Sequence, residues 1–432
     1  MAPQKDHEVN RIVMKFGGTS VADIERIRAV AARVKAEWES GKQVVVVVSA
    51  MAGVTNQMVS YCHALSPNVD MREYDAVVAA GEQVTSGLTA LALQAIGVPA
   101  QSWLGWQIPI ITDDAHGKAN ILGIDGARLI RCLEAGIVPV VAGFQGVCPA
   151  DEAPSATQVD SIATLGRGGS DTSAVAIAAS VKADRCDIYT DVDGIYTTDP
   201  RIVSAARKLD RITFEEMLEL ASVGAKVLQT RSVALAMRER VRVRVLSSFD
   251  ESTDDSGSSV VDEEEVMEKD LVTGIAYALD EAKITVSHLP DRPGIAAAIF
   301  STLAAARVNV DMIVQSVGSD GSTNMTFTVP KTDQAAAISA LEAAKGDIQF
   351  GAIQSAQDVA KISVVGVGMR SHSGMASTMF TTLAERGINV QVISTSEIKI
   401  SVLIKAEYLE LAVRALHTAY GLDDQDGGRQ NG

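Results

Sequence analysis

The stretch VVVVVSAMAGVTN, residues 44–56, decides the architecture. Five consecutive β-branched residues cannot alternate between core and solvent, so they describe a strand buried on both faces, as in a parallel sheet covered by helices. The residues that follow are small and polar. Ser49 and Thr55 stand at and just beyond the carboxyl end of that strand, where open α/β sheets bind their ligands. Working outward, residues 12–16 read as a second strand running into Gly17-Gly18. Residues 23–38 read as an amphipathic helix with Ile24, Ile27, Val30, Ala31 and Val34 on one face. Further strands are expected at 137–142 and 186–190, and helices at 74–96 and 173–181. Strands alternating with helices give an α/β fold with a mostly parallel sheet and helices on both faces.

Composition fits this reading and narrows the function. A chain of 432 residues exceeds what one core organises, so two or three domains are expected. Hydrophobic residues at 47% and charged residues at 21% are ordinary for a globular protein, and aromatics at 4% suit helices on buried strands better than a β-sandwich. The net charge of −16 argues against general nucleic-acid binding, which rests on surplus Lys and Arg. Residues 250–270 hold ten acidic side chains against Lys269 alone, so nine of the sixteen surplus charges sit in one stretch. That stretch reads as a linker, or as a solvated acidic helix face near 263–268. Four scattered cysteines without CxxC and six unclustered histidines suggest reduced structural thiols and no transition-metal site. The polar first ten residues and the lack of eighteen uninterrupted apolar residues point to a cytoplasmic protein without membrane attachment.

Beyond the acidic stretch lies an internal repeat. PGIAAAIFSTLAAARVNVDMIVQS (293–316) matches SGMASTMFTTLAERGINVQVISTS (373–396) at a constant offset of 80. Gly294 meets Gly374, Phe300 meets Phe380, Leu303 meets Leu383 and Asn309-Val310 meets Asn389-Val390. Identities at both turns and core positions indicate two copies of one domain-sized βαβ unit.

Four motifs can carry chemistry. MKFGGTS (14–20) sends Lys15 out of a strand into glycines whose N–H groups can approach a polyanion. LGRGGSDTSA (165–174) sets Arg167, a bidentate fork for a carboxylate, among glycines before a helix that Ser170 or Asp171 can cap. IYTDVDGIYTTDPR (188–201) offers Asp191, Asp193, Asp199, Tyr196 and Arg201 beyond a strand, a set that suits a nucleotide although Asp-Gly and Asp-Pro also make turns. VGAKVLQTRSV (223–233) supplies Lys226. Taken alone, Glu82 in AAGEQVTSG (79–87) reads as a solvated position on a small-residue helix. Neither GxxxxGK[ST] nor GxGxxG occurs, which excludes a Walker-type phosphate loop and a dinucleotide-binding dehydrogenase.

In this order and spacing, from Lys15 to about Leu422, the motifs resemble the aspartokinases of the amino-acid kinase family, and the repeat resembles that family's two ferredoxin-like ACT units. The resemblance implies a catalytic domain over 1–249, an acidic linker over 250–270, and ACT units over 271–345 and 346–432, the second open to sharing a strand with the linker region. It implies ATP, with Mg2+ bound through ATP, near Lys15, Phe16, Gly17, Gly18, Ser49, Thr190, Asp191, Tyr196, Arg201 and Lys226. It implies aspartate near Thr55, Glu82, Arg167, Ser170 and Asp171, with Lys15, Arg167 and Asp171 catalytic. Whether Asp171 meets Lys15 or the substrate ammonium stays open.

The implied reaction moves the γ-phosphoryl group of ATP onto the β-carboxylate of aspartate. An aspartate side chain ordinarily titrates near pH 4 (about 3.9), so it is already ionised at neutral pH and needs no general base. No His stands in the motifs. Lysine or threonine is the implied effector, held by Asn309, Asp311, Gln315, Met375, Ala376, Gln391, Ser396 and Glu397. A homo-oligomer formed through ACT pairing is implied, with Met267 a possible internal start for a separate regulatory chain. Departures from the family pattern lie in the C-terminal half, at Ser371-His372-Ser373-Gly374, at Ser316 after Gln315, and at Asp255-Ser256-Gly257-Ser258, and they bear on the effector. The rivals are a glutamate or acetylglutamate kinase of the same fold and a non-catalytic amino-acid sensor.

Overall fold

The computed structural model describes residues 10–108, 110–150, 159–225, 227–250, 257–266, 271–318, 322–372 and 374–423. Lys226, Met267 and the segment 251–256 lie outside the described residues. The chain divides into two compact units, one built from 1–195, 208–218 and 226–266, the other from 196–207, 219–225 and 267–432.

The first unit is organised by an eight-stranded sheet. Its strands are β1 (Arg11–Phe16), β2 (Gln43–Val48), β3 (Ala100–Trp103), β4 (Val138–Ala142), β5 (Arg185–Thr190), β6 (Arg211–Thr213), β7 (Val243–Ser247) and β8 (Ser258–Val261), in the order β6-β8-β7-β5-β1-β2-β4-β3. Every described neighbouring pair is parallel except β7 with β8. The valines of β2 are each 0% exposed, as a strand between β1 and β4 with both faces covered requires. Helix α1 (Ile24–Glu39) is capped by Asp23, whose side chain accepts from Arg26 N, and it buries Ile27, Val30, Ala31 and Val34. Ile24, expected on that face, is 46% exposed because it sits in the first turn, ahead of the contact.

The expected helix over 74–96 is two helices after α2 (Val54–Leu65): α3 (Met71–Val78), capped by Asp70, and α4 (Ala80–Ala95). The stretch 71–95 is long and apolar enough to cross a membrane, but half of its most apolar window is buried inside the protein, and Asp75 and Glu82 are among its buried residues. A smaller sheet of Ile121–Ile124, Ile110–Thr112, Gln145–Cys148 and Ser161–Thr164 extends this unit.

Residues 258–261, expected in a linker, form β8 inside the main sheet. Ser258, Val260 and Val261 are buried there, so the two valines amid the acids supply a strand, and Glu263–Glu265 form a single turn beyond it with Glu263 and Glu264 exposed.

The second unit holds two four-stranded antiparallel sheets. One runs Ile313–Val317, Ser322–Pro330, Glu281–Pro290, Ala352–Ala356; the other runs Gly274–Ala278, Val359–Val365, Lys399–Lys405, Val392–Thr395. The expected boundary at 345/346 is therefore corrected. Residues 352–356 pair with the first repeat and 274–278 with the second, so the first repeat is inserted into the second. Each repeat carries two more strands than the expected βαβ and a second long helix, Gln334–Ala343 in the first and Leu409–Ala419 in the second.

The expected kinase domain over 1–249 is also revised, because residues 196–207 and 219–225 pack with the second unit. Ile275 N donates to Thr197 O at 2.7 Å, Tyr277 Oη to Asp199 Oδ2 at 2.9 Å and Arg414 Nε to Ile202 O at 2.8 Å. Thr197 Oγ1 lies 2.8 Å from Nε2 of the buried His417.

Candidate active site

The carboxyl ends of five adjacent strands finish level. Ser49 N donates to Phe16 O at 3.0 Å, Gly17 N to Tyr189 O at 3.1 Å, Gly143 N to Val48 O at 3.0 Å and Ser248 N to Thr190 O at 2.9 Å. Lys15, Gly17, Gly18, Ser49, Gly143, Thr190 and Asp191 therefore share one rim.

Lys15 is 8% exposed, and its Nζ lies 2.5 Å from Asp171 Oδ1, an ion-pair contact without hydrogen-bond geometry. In this structure Asp171 meets Lys15. Gly17 leaves room beside the ammonium, since a Cβ there would sit 3.5 Å from Lys15 Nζ. A Cβ on Gly18 would sit 3.0 Å from Ala50 O. The Phe16 side chain faces the core, stacked on Tyr189 at 4.8 Å, so only its backbone stands at the rim.

Helix α6 (Gly169–Ser180), the next after α5 (Ala127–Glu134), begins four residues earlier than expected. Ser170 and Asp171 lie inside its first turn and do not cap it; Gly168, at φ +71°, is the cap residue. Both residues are buried. Asp171 is thus available to Lys15, and a carboxylate in the first turn also suits the helix dipole. Gly143 makes this approach possible, because a Cβ there would lie 3.0 Å from Ser170 Cβ and 3.1 Å from Val48 O.

Arg167 is exposed, between Gly166 at φ +75° and Gly168. Thr55 sits half-buried in the first turn of α2.

Glu82 is not a solvated position. It is 3% exposed; Oε1 accepts from Ala50 N at 3.0 Å, and Oε2 is buried without a partner. Burial pushes its carboxyl up to about 7, against the lowering effect of the Ala50 N–H. A carboxylate held in this way is poised to receive a cation.

The remaining nucleotide candidates are distributed differently. Thr190 Oγ1 donates to Asp191 Oδ1 at 3.1 Å at the end of β5. Tyr196 and Arg201 belong to the second unit, where Arg201 Nη2 donates to Asp199 Oδ2 at 2.7 Å. That guanidinium holds the Asp199 carboxyl at about 2.

Among the effector candidates, Asn309, Gln315, Ala376, Ser396 and Glu397 are exposed and Met375 is half-buried at the first residue of its helix. Asp311 pairs with the buried Lys361, which also reaches Glu281 at 3.1 Å. Lys283 Nζ donates to Gln391 Oε1 at 2.6 Å. Asp311 and Gln391 occupy equivalent positions at the repeat offset of 80, so each repeat sends a lysine to the same position of the other.

Sequence reasoning passed over Asp75, Gly143 and Arg231. Asp75 is fully buried and accepts from Thr164 N at 3.0 Å and from Gly117 N, with His116 Nδ1 at 2.8 Å. Its only signal was an acid near the start of the expected helix over 74–96.

The sequence matches the amino acid kinase family over residues 10–247 and the ACT domain over 283–344 and 362–420. It is 53% identical to an aspartate kinase of Stutzerimonas stutzeri over 417 residues, covering 96% of this chain and 98% of that one. The chain belongs to the aspartokinase family. A Pseudomonas aeruginosa aspartokinase is also 53% identical, over 95% of this chain and 98% of its own. Among solved structures, this aspartokinase is similar to Escherichia coli aspartokinase III in complex with aspartate and ADP, with a TM-score of 0.78 and 26% identity over 95% of this chain and 99% of that one. The same enzyme in complex with lysine and aspartate gives a TM-score of 0.72 at 26% identity, over 94% and 99% of the two chains. As an aspartokinase with ACT domains, the chain is a phosphotransferase of the allosteric type.

Proposed function

We propose that this aspartokinase transfers the γ-phosphoryl group of ATP to the β-carboxylate of L-aspartate, giving 4-phospho-L-aspartate, the first step toward lysine, threonine and methionine. The observation that carries the reading is Lys15 at the end of β1, paired with Asp171 and flanked by glycine, in the same unit as the unmatched Glu82 carboxylate.

The substrate carboxylate is already the nucleophile, so the obstacle is repulsion between two anions. Lys15 and the rim amide of Gly18 lower that repulsion, and Asp171 fixes the direction of the Lys15 ammonium. Arg167 holds a substrate carboxylate, with Thr55 and Ser170 beside it, and Glu82 receives the α-ammonium. Ser49, Thr190, Asp191 and Lys226 complete the nucleotide contacts that the family resemblance implies. Mg2+ supplies charge neutralisation on the phosphates.

Lysine, threonine or both act as feedback effectors on the ACT repeats, at Asn309, Asp311, Gln315, Met375, Ala376, Gln391, Ser396 and Glu397. The protein works in the cytoplasm as a homo-oligomer paired through its ACT repeats, and a start at Met267 yields a separate regulatory chain. Substituting Arg167→Ala tests the substrate assignment: the KM for aspartate should rise strongly, and an unchanged KM would remove Arg167 from the site.

A further inference from the structure

The loop that carries Arg167 is clamped on both sides by residues to which no role has been assigned. Arg231 is the second residue of the helix Thr230–Glu239 and is exposed, yet its guanidinium is spent on the protein. Nη1 donates to Leu165 O at 2.9 Å and Nη2 to Ala119 O at 2.9 Å. Leu165 directly precedes Gly166-Arg167, and the two carbonyls belong to neighbouring segments tied by Ala119 N to Thr164 O at 2.9 Å. Below the same point, Asp75 takes the Thr164 N–H and hydroxyl. On the far side, Gln229 packs so closely on Gly168 that a Cβ there would fall 1.7 Å from Gln229 Cγ. Between the clamps remain Gly166, Arg167 and Gly168, with both glycines at positive φ. A Gly-Arg-Gly tripeptide has no directional preference of its own, so the aim of the guanidinium is set by what holds its ends.

We propose that Arg231 is a positioning residue for Arg167, and that its hold on the Leu165 and Ala119 carbonyls sets the affinity for the acidic substrate. The inference rests on the reading that Arg167 binds a substrate carboxylate.

The test uses the full chain and measures KM for aspartate and for ATP, with melting temperature as a control, in Arg231→Met, Arg231→Lys and Arg167→Ala. Arg231→Met should raise the aspartate KM about ten-fold while moving the ATP KM less than about two-fold. Arg231→Lys, which can still reach one carbonyl, should regain part of the loss. An aspartate KM within about two-fold of the native value in Arg231→Met, an equal rise in both KM values, or no recovery with lysine overturns the proposal. Should Arg231→Met melt below the assay temperature, Gln229→Ala releases the other side of the loop and carries the same expectations. If Arg167→Ala itself leaves the aspartate KM unchanged, the underlying reading fails; if only the Arg231 variants do so, the positioning role fails alone.

Discussion

A carboxylate sealed from water with one oxygen unmatched, as at Glu82, responds to pH in a defined direction. Its pKa is about 7 in the folded chain against an ordinary 4.5, so between those values the native state holds a proton that the unfolded chain has lost. Its contribution to stability is full below 4.5 and is lost as pH rises through about 7. Glu82→Gln, a neutral isostere, should therefore raise the melting temperature of the ligand-free protein at pH 8, with the gain shrinking toward pH 4.5. An equal or lower melting temperature at pH 8 would contradict the burial argument. If Glu82 receives the substrate ammonium, the native aspartate KM should climb as pH falls below about 7, and the variant should be weak and flat across that range. Lys15→Ala acts on the other half of the chemistry. If Lys15 meets the charge that develops on the moving phosphoryl group, as proposed, the variant should lower kcat by roughly a hundredfold. A kcat within a few-fold of native would remove Lys15 from that role.

At the scale of elements, the site depends on how closely the first turn of α6 approaches the ends of β2 and β4. Gly143→Ala puts a methyl group 3.0 Å from Ser170 Cβ and 3.1 Å from a backbone oxygen, and the backbone has little room to yield. We expect a loss of about 1–3 kcal/mol in denaturant melts together with a raised aspartate KM. Unchanged values for both would show that α6 can shift freely.

The same elements show what a sequence makes legible. The valine run of β2 and the glycines after β1 announced the sheet and its rim, because burial on both faces and close backbone approach each restrict residue type. Glu82 was misread as solvated because a helix of small residues shows no strong face; its hydrogen-bond partner, Ala50 N, is 32 positions away. Likewise β8 was hidden by its acidic neighbours, and the insertion of the first ACT repeat into the second is a matter of pairing partners, which periodicity does not encode. Arg231 sat in a quoted motif, but its partners, Ala119 and Leu165, are 112 and 66 positions distant.

For the molecule as a whole, the repeats lean on each other through paired charges. Lys361 is 3% exposed and holds Glu281 and Asp311 together, so Lys361→Met should leave two carboxylates without their cation and cost about 3 kcal/mol in stability. A melting temperature equal to native would mean the cluster is solvated. Asp311 is one of the effector candidates, so calorimetry of the full chain with lysine and with threonine should show heat for at least one, and no binding of either would reject the sensor reading. On the proposed mechanism a pocket of positive charge joins two anions, and hydroxylamine trapping of the acyl phosphate in the presence of ATP and Mg2+ probes that step itself. Aspartate should give its hydroxamate in quantity and glutamate little; no hydroxamate from aspartate, or more from glutamate, would contradict the assignment.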